Sequence, residues 1–294
     1  MISRVTSTAM ADQAIRHLQS NMSRLAKLQD QATSQRAFAS PSADPAAAAT
    51  ALGLHADQRR TEQYARNIDD GLAWVTTVDS ALSEAVSLLG RARDLTVQGA
   101  NAGTMSPTSR EAIAVELEGI RDALLAASET RIQDRLVFAG TTDAATAFDA
   151  AYGFNGVPGA EVNRRIADGV TVRVDADGAA VFGEGTGSVF ALLDRIVADL
   201  RAGEDVSTHL GAIDERRTAM LTVQGSVGAR TNQLERAREA TMSASVSLES
   251  RRAAVEDVDS VEVLVKLQAQ ELVYRSALAV TGRVLQPSLL EFLR

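Results

Sequence analysis

The chain opens and closes on long stretches in which apolar side chains return every seven residues. Near the start Ala11, Leu18, Leu25 and Ala32 form one row, with Ile15 and Met22 four places after its first two members. Near the end Val258, Val265, Leu272 and Ala279 form another, flanked by Leu264, Leu278 and Leu285. A stripe of this kind needs a covering helix, because a lone amphipathic helix leaves it in water. The spacing predicts that the two ends pair. Ile15, Leu18, Met22 and Leu25 then face Val265, Leu272, Leu278 and Leu285 in an assembly interface, with Leu272 and Leu278 against Leu18 and Leu25. On pattern alone, an ordinary bundle closed within the chain explains the stripes equally well.

Between the ends the pattern stays mostly helical. A first helix is expected over about 9–36, stopped by the turn formers of Phe38–Pro45. Asp44-Pro45 then starts a second helix as N-cap and first residue. Its row Ile68, Val75, Leu82 and Leu89, filled in by Leu72 and Val86, carries it to near Gln98, before a stop signal at Asn101-Ala-Gly103. Ser106-Pro107 opens a third, with Ile113, Leu117, Ile120 and Leu124 inside, running to near Asp134. From 141 to 187 the character changes: glycines cluster, and Val170, Val172 and Val174 alternate with polar residues, so a small β-rich insertion is expected. Asp177-Gly178 reads as a hairpin turn leading into a strand at Ala179–Phe182. Helix resumes at Ser188 with Phe190, Leu193, Val197 and Leu200 inside, pauses at Gly203, and continues from Val206 with no proline before Pro287. Val227, Leu234, Thr241, Leu248 and Val255 share one row of that last stretch.

The expected fold class is therefore mainly α: an elongated rod of long antiparallel helices, with paired terminal coiled-coil helices and a small β-rich inserted domain. The parts are 1–40, the N-terminal inner-wall helix; 41–140, the outgoing rod; 141–187, the insertion; 188–255, the returning rod; and 256–294, the C-terminal inner-wall helix. The insertion is expected at the end of the rod farthest from both termini, where it should tolerate deletion.

Composition narrows the function. Of 294 residues 45% are hydrophobic but 4% aromatic, which suits helices packed through small and aliphatic side chains. A net charge of −8 gives nucleic acid no electrostatic hold. With no cysteine, neither a disulfide nor a thiolate metal site can form. No apolar run approaches the roughly 20 residues of a membrane span, and no apolar core of a cleaved signal follows the first residues. Residues 1–40 carry five basic and two acidic side chains, and 256–294 carry four basic and six acidic, so the ends attract.

Candidate chemistry is sparse. His17, His55 and His209 are scattered, without second ligands at metal spacing. Gly183-Glu-Gly-Thr-Gly-Ser188 lacks the lysine of a phosphate-cradling loop and the spacing of a dinucleotide fingerprint, and reads as a flexible return linker. Asp175-Ala-Asp-Gly178 lacks the closing glutamate of a calcium loop. The reading assigns no catalytic, cofactor or metal residue, and no enzyme activity.

Several motifs are identified together as those of the flagellin superfamily. They are Ser40-Pro-Ser-Ala-Asp-Pro-Ala-Ala-Ala-Ala49, Tyr64-Ala-Arg-Asn-Ile-Asp69, Trp74, Asp79-Ser-Ala-Leu82, Arg91-Ala-Arg-Asp-Leu95, Val227-Gly-Ala-Arg230, Asn232-Gln-Leu-Glu235 and Ser288-Leu-Leu-Glu-Phe-Leu293. Within the superfamily they most resemble the branch that joins hook to filament. Filament flagellins usually have an Asp-Asp-Ala-Ala-Gly type sequence where this chain has Asp44-Pro45-Ala-Ala, and a different C-terminal ending. The resemblance implies an exported bacterial flagellar structural protein with no cleaved signal, passed through the flagellar channel into a ring of copies. Its implied partners are further copies of itself, the first hook–filament junction protein, flagellin, and an export chaperone on the C-terminal helix; membrane and nucleic acid are not among them. A minor filament flagellin is the alternative within the superfamily, and a cytosolic coiled-coil scaffold the alternative outside it.

Overall fold

The computed structural model describes residues 2–100, 106–157 and 159–285, without the side chains of 2–8, 11, 284 and 285. The expected stop at Asn101–Gly103 and the apolar ending after Pro287 lie outside the described residues. Seven helices carry most of what is described: α1 (Ile2–Ser34), α2 (Pro45–Ala100), α3 (Pro107–Ser128), α4 (Gly178–Phe182), α5 (Val189–Ala202), α6 (Leu210–Glu256) and α7 (Ser260–Leu285). Two short antiparallel pairs complete the regular structure, β1 (Arg131–Ile132) with β2 (Arg135–Leu136) and β3 (Asn163–Ala167) with β4 (Val170–Arg173). The fold is mainly α, as the periodicities require. It divides into two compact units, one of residues 1–60 with 244–294, the other of 61–243.

The larger unit has a single core. Ile68, Val75, Leu82 and Leu89 of α2 are fully buried, as are Leu117 and Leu124 of α3 and Phe190 and Leu193 of α5. Local caps set the element ends. Asp44 Oδ1 accepts from Ala47 N at 3.0 Å, and Ser106 Oγ accepts from Ser109 N at 3.2 Å. α5 stops at Gly203, whose φ of +79° is open to a residue without Cβ.

Three local expectations need correction. α3 ends at Ser128, six residues early, because Gln133 and Asp134 both take positive φ and turn β1 into β2. Asp177-Gly178 is not a hairpin turn. Asp177 caps α4 instead, accepting from Ala179 N at 3.0 Å, and Ala179–Phe182 is helix rather than strand. The hairpin lies upstream, where Asp168-Gly169 separates β3 from β4 and Gly169 has φ +69°. Finally, Gly183–Ser188 is an ordered connection, with Ser188 Oγ capping α5 through Ala191 N at 3.1 Å.

The segment 141–187 shares the core of the helices around it. Five of the seven phenylalanines meet here: Phe138, Phe148, Phe154, Phe182 and Phe190. Phe138 meets Phe182 edge-on at 5.3 Å, and Phe148 meets Phe190 at 5.2 Å. Gly178 N donates to Phe138 O at 2.9 Å, and a Cβ at Gly178 would stand 2.7 Å from that oxygen, so the position excludes larger residues. The few aromatics of the chain are concentrated where helices give way to irregular backbone.

Candidate assembly surface

The smaller unit brings the chain ends together. α1 and α7 run antiparallel: Gln31 and Gln35 share a groove with Ser260–Val265, Asn21 meets Gln270, and Ala14 shares a second groove with Ala277 and Thr281. On α1 the expected row, with Leu18, Leu25 and Ala32, lies in the seam; on α7 a different row makes it. The seam positions of α1 are the half-buried Ala14, Leu18, Asn21, Leu25, Leu28 and Ala32; those of α7 are the half-buried Leu267, Gln270, Tyr274 and Ala277 with the buried Val263 and Thr281. Both sets alternate steps of four and three, the spacing of a coiled-coil interface. Gln270 Nε2 donates to Asn21 O at 3.2 Å, a polar layer inside an otherwise mostly apolar seam.

The predicted interface residues are therefore split. Leu18 and Leu25 lie in the seam. Ile15 and Met22 are 41% and 60% exposed, as are Val265, Leu272 and Leu278 at 62%, 68% and 44%. Within the single chain, Leu272 and Leu278 are therefore not buried against Leu18 and Leu25. The side chain of Leu285 lies outside the described residues. The physical reason lies on α7 itself, which carries two rows. Stepping back two residues from each seam position gives Val261, Val265, Gln268, Leu272, Arg275 and Ala279, all exposed. Two residues turn a helix by about 200°, yet part of this row stays at the rim of the seam: Val261 and Val265 line a groove with Ala32, and Leu272 lines one with Ala14. The outward row is the more apolar of the two at Leu272 and Ala279, where the seam has Tyr274 and Thr281, and the less apolar at Arg275, where the seam has Ala277.

A polar clamp closes the unit where α6 ends and α7 begins. Ala37 N donates to Glu256 O at 2.7 Å and Val258 N to Gln35 O at 3.2 Å, a two-bond bridge across the chain ends. The Glu256 side chain is 11% exposed; its carboxylate meets His55 Nε2 at 2.7 Å and accepts from Arg252 Nη1 at 2.9 Å. Burial works to raise its pKa, but the hydrogen bonds from Arg252 and His55 hold it below the ordinary carboxylate range. Arg252 also binds Glu249, whose carboxyl it likewise depresses, and Gln58 Nε2 donates to Glu249 at 2.8 Å. Asp259 then starts α7, accepting from Val261 N at 2.9 Å. The reading from periodicity missed this break, since no proline or glycine marks it; Asp257-Val-Asp-Ser260 was its available signal.

The histidines have separate settings. His17 lines the α1–α7 groove, His55 belongs to the clamp, and His209 meets Asp199 at 2.6 Å. Among the described residues no group of three His, Asp or Glu side chains is placed to hold a metal. Asp175 is fully buried and bound by Arg173 Nε at 2.8 Å and Val162 N at 2.9 Å. No helix among the described residues is long and apolar enough to cross a membrane.

Comparison with known proteins gives a consistent family. The bacterial flagellin N-terminal helical region matches residues 5–143, and the flagellin C-terminal helical region matches 210–293. Flagellar hook-associated protein 3 of Salmonella typhimurium is 27% identical over 259 residues, covering 79% of this chain and 81% of that protein. Polar flagellin C of Vibrio parahaemolyticus is 32% identical over 129 residues, covering 44% of this chain and 32% of that protein. In three dimensions, a flagellar hook-associated protein from Vibrio parahaemolyticus superposes with a TM-score of 0.68 at 22% identity, over 73% of this chain and 100% of that one.

Proposed function

The chain belongs to the bacterial flagellin family, and on that premise we propose that it is the structural subunit of the layer joining flagellar hook to filament. It is a component of the bacterial flagellum and not an enzyme. The observation that carries the reading is the second row of α7. An apolar row left exposed on a helix that is already paired needs a second partner. The chain's own α1 covers the row with Leu267 and Tyr274; neighbouring copies cover the row with Val261, Val265 and Leu272, and so polymerise the subunit into one helical layer. Ile15 and Met22 extend the apolar surface on the α1 side. Export proceeds through the flagellar channel, and a cytosolic chaperone covers the exposed apolar row of α7 until then. The first hook–filament junction protein and flagellin are the neighbours on either side. The match to hook-associated protein 3, at 27% identity over most of both proteins, supports this reading over a minor flagellin.

Deleting the gene tests the reading. Cells should keep hooks, lose filaments and release flagellin monomers into the medium, and a plasmid copy should restore filaments. Full filaments in the deletion strain would refute it; so would copies spread along the filament in immunogold micrographs.

A further inference from the structure

Asn155 is the one asparagine of the chain that is followed by glycine. A backbone nitrogen can close on the side-chain carbon of the asparagine before it, and glycine, without a Cβ, hinders that approach least. The structure leaves this pair open to it. Asn155 is exposed, and among the described residues nothing accepts a hydrogen bond from Gly156 N. The glycine is also fixed in place, because a Cβ there would collide with the Phe154 ring. Closure is opposed by two long bonds: Asn155 Nδ2 donates to Thr146 O at 3.2 Å and to Thr146 Oγ1 at 3.3 Å. The three Asp-Gly steps of the chain differ in kind. Each presents a carboxylate, which resists a nucleophile more than a neutral amide does. Gly71 also lies inside α2, and Gly178 N is bound to Phe138 O at 2.9 Å.

We propose that Asn155 is a site of spontaneous covalent modification, converting through a cyclic imide with Gly156 to aspartate and isoaspartate, at a pace set by its bonds to Thr146. Hydroxide removes the proton of Gly156 N, which attacks Asn155 Cγ. The bond from Cγ to Nδ2 then breaks, and the nitrogen leaves with its electron pair as ammonia, taking a proton from water. Water opens the imide at one of its two carbonyls. Opening at Cγ breaks the new bond and gives aspartate; opening at the main-chain carbonyl carbon breaks the original peptide bond and gives isoaspartate. The sum is one water consumed and one ammonia released, with no change of oxidation state. The new carboxylate adds a negative charge and cannot donate to Thr146. Isoaspartate also lengthens the backbone by a methylene beside the bridge that pairs Phe148 with Phe154.

The full-length protein is aged at neutral and at mildly alkaline pH, folded and in urea, in water enriched in heavy oxygen. Peptide mass spectrometry should find the peptide with residue 155 heavier by the exchange of an amino for a hydroxyl group, carrying the label, and split into two chromatographic forms of equal mass. The rate should rise in proportion to hydroxide. The folded chain should convert at most about tenfold more slowly than the unfolded one, the factor for breaking two weak neutral hydrogen bonds. Thr146→Ala removes one of the two and should speed conversion of the folded chain about threefold. Thr146→Ser keeps the hydroxyl and should stay near the parent. Both replace an exposed side chain, so neither disturbs the core. Absence of label at residue 155 of the folded chain overturns the proposal, the urea sample showing that ageing was long enough; so does conversion confined to other asparagines. A folded rate unmoved by Thr146→Ala overturns the role given to Thr146.

Discussion

Leu18 and Leu272 are both leucines of a seven-residue row, yet they face different partners. Leu18 is half-buried against α7, while Leu272 is 68% exposed at the edge of the α1–α7 groove. Burying a leucine contributes about 1.5–3 kcal/mol, and a carboxylate forced into the same place costs more than the lost burial. Leu18→Asp should therefore unpair α1 from α7 in the isolated chain, seen as faster amide exchange along both helices. Leu272→Asp should leave that exchange unchanged and abolish filament growth, with flagellin lost to the medium. Secretion of the variant is measured separately, since the same face is the proposed chaperone site. Slowed assembly by Leu18→Asp alone, with Leu272→Asp silent, would move the interface off the outward row.

At the scale of elements, the ends are held by a seam and a clamp of modest depth. No described side chain among residues 9–40 is fully buried, and among 256–283 only Glu256, Val263 and Thr281 are. Local opening should be frequent there, so limited proteolysis of the dilute chain should trim residues 1–40 and 256–294 well before it cuts 61–243. Acid should widen the difference. Glu249 and Glu256 have depressed pKa values in the fold, so each contributes stability above the ordinary carboxylate pKa of about 4.3 that is lost as pH falls through its lower folded value. Trimming of the ends should accelerate between about pH 5 and pH 3, and less steeply in Glu256→Gln. Unchanged trimming across that range would mean the clamp does not hold the ends. These elements were unevenly legible beforehand. The rows of α2, α3 and α5 were readable because each helix has one apolar face and one core to meet, so periodicity and burial coincide at Leu82, Leu117 and Leu193. α7 defeated the same reasoning because Val261, Val265 and Leu272 are apolar yet stay 73%, 62% and 68% exposed within the chain, so periodicity and burial part company there. Asp177-Gly178 and Asp168-Gly169 are the same dipeptide; the caps around them decide which one turns a hairpin, and those depend on contacts such as Gly178 N to Phe138 O.

Across the whole molecule, the segment 141–187 bears on how each part can be altered. Its Gly-rich composition invites treatment as a detachable surface module, replaceable by a short linker. Its side chains argue otherwise. Phe148, Val162, Ile166, Val172, Val174, Val181 and Phe182 are buried in one cluster with Trp74, Phe138 and Phe190. Arg164 pairs with Asp70 of α2 at 2.5 Å and lies over the Trp74 ring at 5.7 Å from its centre. Removing the segment would open α2 and α5 to water over the whole aromatic cluster, whereas Phe→Ala at one buried position typically costs about 3–5 kcal/mol. A domain is stable by about 5–15 kcal/mol in total, so loss of several such side chains at once exceeds its margin. Replacement of 141–187 by a Gly/Ser linker should therefore abolish the cooperative thermal transition of 61–243 and, with it, motility. Phe190→Ala should lower the melting temperature while leaving α1–α7 crosslinking through cysteines introduced at positions 14 and 277 intact, because that pair belongs to the other unit. A linker variant that melts cooperatively near the parent temperature would show that the helices of 61–243 close on one another without the aromatic cluster.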